Sequence, residues 1–307
     1  MKIEDLNEAI SSGAVGELIH VVEARQRKVL SKIADAICAR DGVRLVLVCG
    51  GSAAGKTTTA KRIVTQLKVN DRFALHLSTD DYFVGDDRTP RDANGELDYE
   101  HVECVDIARL VSDLNALFRG EAIPVRRFDF TTHQPQIAEK WLTLPSDGFI
   151  VLEGIHALNP RLTEGVDESA KYRVLIEPRP SLEADGKVLT PQEARFLRRL
   201  VRDNQFRKMP PSTTVNLWPK VLEGETKWIE PFRDAADAVF DSYLVYELAA
   251  LKPYAGGLLE QARHDLGDRP EIVSKIDLLA KVEIAPNDLV PGDSILRETI
   301  GGSQLEY

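Results

Sequence analysis

A short apolar segment that runs directly into a glycine-rich loop constrains the fold of this chain more than any other feature. Residues 43–49 read VRLVLVC, a continuous apolar run typical of strands that are buried on both faces of a parallel sheet. Two glycines follow at once, and residues 56–67 carry a pattern compatible with a helix. The order strand, loop and helix predicts the first unit of an α/β fold.

The loop reads GGSAAGKT and fits the pattern G-x-x-x-x-G-K-[ST]. The predicted nucleotide-binding residues are Gly50, Gly51, Ser52, Ala53, Ala54, Gly55, Lys56, Thr57 and, next in the helix, Thr58. Glycines let the backbone curl so that successive N–H groups point at phosphate oxygens, and the helix dipole adds positive potential. Lys56 is predicted to reach the β- and γ-phosphates, and the Thr57 hydroxyl to bind Mg²⁺. ATP and GTP both fit, because the loop reads phosphates and not the base.

Strand-like and helix-like segments alternate beyond this loop. The further predicted strands are 73–77, 123–128, 149–152 and 172–176, and a further helix is predicted at 104–118. Residues 85–97, rich in Asp and Gly with one Pro, are predicted to be a loop. This alternation predicts a three-layer α/β fold in which a mostly parallel sheet is flanked by helices.

Residues 1–40 have a helical pattern and are interpreted as an N-terminal helical extension that packs on the core. Residues 41–307 are interpreted as one domain, with a helical lid at about 185–228 and a helical tail at about 255–307.

Composition and charge narrow the class of protein. The 307 residues are 43% hydrophobic and carry a net charge of −10, which disfavours bulk binding to nucleic acid or to anionic membranes. The three cysteines, Cys38, Cys49 and Cys104, lack metal-ligand or redox spacing and suit a reducing compartment. Without an export signal or a membrane span in the sequence, we expect a cytoplasmic protein, and a homo-oligomer stays an open alternative.

Acidic residues follow two of the predicted strands. Asp80 and Asp81 come after the strand at 73–77, and Glu153 ends the apolar strand at 149–152. A carboxylate at the first position would lie at the open edge of the sheet, where it can accept the proton of an attacking hydroxyl. An Asp-rich turn or helix cap is the alternative there. Glu153 fits the Walker-B pattern, in which the carboxylate holds Mg²⁺ or its water.

An arginine-rich helix is predicted to start at Thr190–Glu193, where a capping box is followed by Pro at the first helical position. Along it, one face carries Arg195, Arg198, Arg199 and Arg202. Bidentate contacts to phosphate would offset the repulsion among these charges, so we interpret the helix as a lid that closes over the triphosphate. A solvated basic face is the alternative.

Several segments resemble the uridine kinase and phosphoribulokinase family of phosphate-loop kinases, in particular its bacterial uridine kinase-like members. They are GGSAAGKTTTAKR at 50–62, LSTDDYF at 77–83, TPRDANGELDYE at 89–100, FDFTTH at 128–133, VLEGIHALNP at 151–160, RRLVRDNQFR at 198–207 and SILRETIGGS at 294–303. The likeness runs from about residue 20 to about residue 303. It implies the P-loop NTPase type of fold and an ATP- and Mg²⁺-dependent kinase.

The resemblance also implies roles for individual residues. Asp80 aligns with the catalytic aspartate of the family, and Glu153 with its Mg²⁺-associated glutamate. Arg198 and Arg202 fall in the lid helix and are expected to act with Lys56 on the transferring phosphoryl group, while Arg195 is expected to contact the substrate.

The acceptor side resembles that of uridine–cytidine kinases. Phe130 is expected to stack on the base, and His133 to hydrogen-bond its exocyclic edge. Glu100, after Tyr99, stands where the family has an aspartate that binds ribose, and Phe83 stands where it has a tyrosine. The implied reaction is phosphorylation of the 5′-hydroxyl of a pyrimidine nucleoside.

Three alternatives stay open at this point. The acceptor can be another small alcohol, such as a sugar acid or a sugar phosphate. A nucleotide-driven switch or regulatory ATPase is disfavoured because the nearest string to N-K-x-D, at 274–277, reads SKID. An inactive binding module is disfavoured because the loop lysine, Thr57, Asp80 and Glu153 are all present.

Overall fold

The computed structural model describes residues 1–305. Within them the strands are β1 (Leu45–Gly50), β2 (Ala74–Ser78), β3 (Ile123–Asp129), β4 (Gln134–Leu142), β5 (Phe149–Glu153), β6 (Lys171–Glu177), β7 (Glu183–Ala184), β8 (Lys187–Val188) and β9 (Ala238–Asp241). The α-helices are α1 (Ile3–Ser11), α2 (Val15–Ala39), α3 (Lys56–Val69), α4 (Ile107–Phe118), α5 (Pro191–Arg207), α6 (Pro211–Trp228), α7 (Glu247–Leu266), α8 (Pro270–Ala280) and α9 (Arg297–Ile300).

Five parallel strands form the central sheet in the order β2-β5-β1-β6-β9. Every residue of β1 and β5 is buried, as expected for central strands whose two faces are both covered by helices. Helices α2 and α3 pack on one face and α4 on the other, each over a separate apolar cluster. The predicted three-layer α/β fold is confirmed.

The strand predicted at 123–128 exists, but the prediction that it belongs to the parallel sheet is wrong. It is β3, which pairs antiparallel with β4 in a separate two-stranded sheet. Strand β4 was not predicted, because all but the last of its residues are exposed and no apolar alternation marks it. The parallel sheet is completed instead by β9, which was also missed.

The N-terminal extension consists of α1 and α2. Leu30, Ile33 and Ile37 of α2 are buried against α3 and the sheet, so α2 packs on the core. A third apolar cluster joins α1 to α5, α7 and α8. No helix within residues 1–305 is both long enough and apolar enough to cross a membrane.

Candidate active site

The glycine-rich loop joins the buried end of β1 to the first turn of α3. Gly55 has φ +90° and Ala53 has φ +57°, so the chain takes the left-handed conformation twice within the loop. For alanine this conformation is strained, and such strain is typical of functional loops. The ammonium group of Lys56 donates to the carbonyl oxygen of Gly51 at 3.0 Å. The loop therefore curls back on itself, with the lysine side chain folded across it.

The two predicted magnesium ligands lie together. The Thr57 hydroxyl donates to Oε1 of Glu153 at 3.1 Å. Burial raises the pKa of Glu153 to about 7, and the charge of Asp80 adds to this increase while Lys56 opposes it. A buried carboxylate beside a hydroxyl and a second carboxylate suits a hard divalent cation, whose remaining ligands would be phosphate oxygens and water. These residues thus fit Mg²⁺ brought in with a nucleotide.

Asp80 lies at the carboxyl end of β2, in a short 3₁₀ turn over Thr79–Tyr82. Its N–H donates to the Ser78 hydroxyl at 3.2 Å, which fixes the start of this turn. Because Ser78 is the register partner of Glu153 in the neighbouring strand β5, the turn holds Asp80 beside the Walker-B carboxylate. Asp81, by contrast, pairs with Arg127 of β3 at 3.1 Å. The turn sends the two aspartates to different partners.

Helix α5 begins with the predicted capping box at Thr190 and Glu193. Its arginines are not solvated: Arg195, Arg198 and Arg199 are all buried. Each of them donates a hydrogen bond to the phosphate loop. Arg195 donates to the carbonyl oxygen of Ser52 at 3.3 Å, and Arg199 donates to the Ser52 hydroxyl at 2.7 Å. Arg198 donates to the carbonyl oxygen of Ala53 at 3.5 Å. The alternative of a solvated basic face is therefore wrong.

The charges of these arginines are balanced by acids that lie far away in sequence. Arg195 pairs with Glu225 of α6, and Arg198 pairs with the fully buried Glu247 at the start of α7. Glu225 also accepts a hydrogen bond at 3.0 Å from the N–H of Ser52. Helices α5 and α6 are thereby fastened to the loop.

The carboxyl end of α5 concentrates positive charge near Asp80. The buried Asp203 accepts hydrogen bonds from Arg199 at 3.1 Å, from Arg202 at 3.2 Å and from Arg207 at 3.3 Å. Burial and the positive charge of Arg202 together lower the pKa of Arg207 to about 10, although Asp203 opposes this shift. One carboxylate thus serves three guanidinium groups, which suits a site that receives an anion.

The C-terminal segment contributes to the same region. The Thr58 hydroxyl donates to Oε2 of Glu298 in α9 at 3.0 Å, and Glu298 lies 4.0 Å from Arg202. The predicted helical tail therefore returns to the nucleotide loop. The last two residues of the tail prediction, 306 and 307, lie outside the described residues.

Three phenylalanines meet beside the Asp80 turn. The ring of Phe83 contacts the rings of Phe128 and Phe130 edge to face, at centroid distances of 5.6 and 6.1 Å. The guanidinium carbon of Arg207 lies 4.8 Å from the centroid of the Phe130 ring. The tip of the β3–β4 hairpin thus reaches the end of α5.

His133 lies at the same hairpin tip, with Tyr99 beside it. Its Nδ1 is 3.0 Å from Oδ1 of Asp86 and 2.9 Å from the Tyr99 hydroxyl. Tyr99 and His133, which were both predicted to lie on the acceptor side, therefore share Asp86 as a hydrogen-bond partner. Asp86 was not predicted from the sequence.

Glu100, next in the chain to Tyr99, faces the phosphate loop. Burial raises its pKa to about 7, against the opposing charges of Arg199 and Lys56. A Cβ at Gly224 of α6 would come within 2.5 Å of the Glu100 Cβ, so only glycine lets α6 approach this closely. Glu100 is thus held between α6 and the loop.

The structure adds residues that the sequence analysis did not assign. Asp203 and Arg207 lie in the segment 198–207 that resembles the family, but no role was predicted for either residue. The sequence pointed to Glu225 and Glu247 only indirectly, because a helix with five arginines requires acids elsewhere to balance its charge.

The chain is similar in sequence to proteins of one known family. The model of the phosphoribulokinase / uridine kinase family matches residues 45–249. A uridine kinase from Lactobacillus johnsonii is 28% identical over 197 residues, which cover 64% of this chain and 84% of that protein. A uridine kinase from Deinococcus deserti is 30% identical over 193 residues, which cover 62% and 84%. A solved structure of a possible uridine kinase from Bacillus stearothermophilus gives a TM-score of 0.46 at 19% identity, and covers 71% of this chain and 100% of that chain.

Proposed function

The chain belongs to the phosphoribulokinase / uridine kinase family, and we propose that it transfers the γ-phosphoryl group of ATP to the 5′-hydroxyl of uridine or cytidine. Membership makes the protein a phosphotransferase with an alcohol group as acceptor, for which the family implies ATP as the donor and a small-molecule substrate. The choice of a pyrimidine nucleoside is our inference from the acceptor side of the site.

One observation carries the proposal: Asp80 lies beside Glu153, at the edge of the sheet where the phosphate loop opens. A carboxylate there is placed to accept the proton of a hydroxyl that attacks a phosphate held by the loop. Its neighbour Asp81 pairs with Arg127 instead. We therefore assign the role of general base to Asp80.

The remaining residues position the reactants and balance charge. The loop N–H groups and Lys56 hold the triphosphate, and the guanidinium groups of Arg199, Arg202 and Arg207 offer positive charge where the phosphoryl group passes. As the acceptor oxygen bonds to the γ-phosphorus, the bond from that phosphorus to the β–γ bridging oxygen breaks and ADP leaves. Positioning and electrostatics provide most of the catalysis in reactions of this class.

Thr57 and Glu153 would hold Mg²⁺. The cation, when bound, neutralises charge on the β- and γ-phosphate oxygens. Burial and the nearby charge of Asp80 raise the pKa of Glu153, so a cation at this carboxylate would compete with a proton for it.

The acceptor side supports an aromatic substrate. Phe83, Phe128 and Phe130 form an apolar wall, and Phe130 is 40% exposed, so part of its ring is open to a ligand. A planar base can stack there. Glu100 offers a carboxylate on the loop side, where it can accept hydrogen bonds from ribose hydroxyls.

An acceptor screen tests the proposal directly. The purified chain is incubated with ATP and Mg²⁺, and ADP release is measured with uridine, cytidine, purine nucleosides, sugar acids, pantothenate and sugar phosphates. We expect release that depends on a pyrimidine nucleoside. Release only with a sugar acid or sugar phosphate would reassign the acceptor, and release that needs no acceptor would favour a regulatory ATPase.

A further inference from the structure

The 293–301 segment packs against the phosphate loop, although it lies more than 200 residues further along the chain. The model of the family matches residues 45–249, so this segment lies beyond the matched part. Ile295 is buried, and a Cβ at Gly55 would come within 2.5 Å of its Cγ2 atom. Glycine at position 55 therefore allows this close approach as well as the positive φ of the loop.

Bonds to other parts of the protein fix the same segment. Asp293 accepts hydrogen bonds from Nη2 and Nε of Arg27 in α2, at 2.7 and 3.2 Å. The guanidinium group of Arg297 donates to main-chain carbonyl oxygens on both sides of it in the chain, among them Asn287 at 2.9 Å and Gly301 at 3.2 Å. A segment that is tied down in this way can hold another group in place.

Glu298 of this segment links two helices of the site. Its Oε2 accepts a hydrogen bond at 3.0 Å from the hydroxyl of Thr58, in the first turn of α3. Its Oε1 lies 4.0 Å from Nη1 of Arg202 in α5, a distance at which opposite charges attract each other. Burial raises the pKa of Glu153, and the charge of Glu298 adds to this increase, as expected for an acid that lies close to the predicted magnesium ligands.

Three carboxylates surround Arg202. Burial would lower the pKa of Arg202, but the negative charges of Asp203, Glu298 and Asp80 raise it above its ordinary value. Asp203 also binds two further arginines of α5, so it does not fix Arg202 alone. A guanidinium group has five N–H donors, so Arg202 can meet two carboxylates and still donate to a phosphate oxygen.

We propose that Glu298 is a positioning residue, which holds the guanidinium group of Arg202 where the γ-phosphoryl group passes to the acceptor. This inference rests on the proposed kinase function and deepens it. The acid acts through Arg202 and touches no reactant. Because charge on the transferring group develops only during the reaction, loss of Glu298 should lower kcat and leave the binding of ATP almost unchanged.

The first test removes the charge of Glu298 and keeps its shape. In Glu298→Gln the amide oxygen can still accept from Thr58, so the attraction to Arg202 is what is lost. We expect kcat to fall about tenfold, since small displacements of a catalytic group are costly, while the KM of ATP changes less than about twofold. The matched control is Glu283→Gln, an exposed acid of the same C-terminal part of the chain, which should keep both constants.

A double-mutant cycle separates this role from a structural one. In an Arg202→Gln background, Glu298→Gln should change kcat less than about twofold, because the group that it positions is already gone. A contact that only supports the fold would give the same factor in both backgrounds. Thermal unfolding of all variants shows whether they fold.

The second test needs no acceptor. Aluminium fluoride, bound with ADP and Mg²⁺, mimics the phosphoryl group during transfer. By calorimetry, we expect the Kd of ADP in the presence of aluminium fluoride to rise about tenfold in Glu298→Gln, while the Kd of ADP alone changes less than about twofold.

Each outcome decides the inference. It is wrong if Glu298→Gln keeps the kcat of the wild type, if it raises the KM of ATP instead, or if its effect is the same with and without Arg202. In those cases the proposed kinase function stands, because the acceptor screen measures it separately. If no acceptor supports ADP release, the proposed function fails, and equal affinities of wild type and Glu298→Gln for ADP with aluminium fluoride would refute the role of Glu298 as well.

Discussion

The phosphate loop and the tip of the β3–β4 hairpin both border the turn that carries Asp80, yet different forces hold them. The loop leaves a strand whose residues are all buried, and Ala54 at its centre is fully enclosed. The hairpin tip is held by side-chain contacts of Phe130 and His133, while Ile137 and Trp141 of β4 are about two-thirds exposed, at 66% and 64%. The proposed donor site is thus part of the core, and the proposed acceptor site lies at the surface.

This difference implies different tolerance to substitution. A change in the loop alters groups that are packed on all sides, so it disturbs the fold together with the function. A change at the hairpin tip alters side chains that contact only their immediate neighbours and, in the proposed function, the acceptor. We therefore expect the acceptor preference to be adjustable without loss of the phosphate-binding half.

The largest effect is expected at the point where the two regions meet. Asp80→Asn should lower kcat by about a thousandfold or more, because the amide cannot take the proton of the acceptor hydroxyl. Binding of ATP, measured by calorimetry, should persist. Asp81→Asn is the matched control and should change kcat less than about fivefold, because Asp81 pairs with Arg127. Normal turnover by Asp80→Asn would show that the base lies elsewhere.

The pH dependence of the free energy of unfolding should differ between acids on the buried donor side and acids on the exposed acceptor side. The pKa of Glu153 is raised to about 7 by burial and by Asp80, so the folded protein holds a proton there that the unfolded chain releases at lower pH. The stability contributed by the protonated acid is present below about pH 4.5 and is lost as the pH rises through 7.

Glu153→Gln should remove this loss, so that the variant without nucleotide gains about 2 kcal/mol over the wild type between pH 5 and pH 8. Urea unfolding at the two values measures the difference. Glu139→Gln, on the exposed strand β4, is the control and should follow the wild type. Equal pH dependence of the Glu153→Gln variant and the wild type would mean that this acid is not buried in solution.

The smallest effect is expected at the hairpin tip. Phe130→Ala should raise the KM of the nucleoside about five- to tenfold, because stacking of a base on an aromatic ring contributes about 1–3 kcal/mol. The KM of ATP should change less than about twofold. Ile137→Ala, exposed on the same hairpin, should leave both constants unchanged. A rise in the KM of ATP instead would show that the tip serves the donor side.

The donor half could be predicted from sequence because its signals are local. The strand, loop and helix around Lys56 are contiguous, and Glu153 ends a strand that is apolar throughout. The acceptor half depends on pairings that join distant residues. Residues 134–142 show no apolar alternation, since nearly all of them are exposed, and so the hairpin that carries His133 could not be recognised.

The position of the arginine-rich helix α5 and the face that carries its arginines were predicted, but the acids that contact this face were not. Its two acidic partners, the partly buried Glu225 and the fully buried Glu247, lie 30 and 49 residues away from the arginines that they balance. Among 49 acidic residues, the sequence does not distinguish these two. The glycine at 224 likewise makes sense only when Glu100 is seen beside it.

The bonds from Arg195, Arg198 and Arg199 to Ser52 and Ala53 have a consequence for the reaction cycle. Any shift of α5 relative to the loop would break three hydrogen bonds, so the position of this helix and the shape of the loop are coupled. Release of ADP and disengagement of that helix would then be a single event. Weaker bonds are expected to speed the dissociation of product and also to lower the affinity for the incoming nucleotide. Because these two effects on turnover oppose each other, turnover would be greatest at an intermediate bond strength.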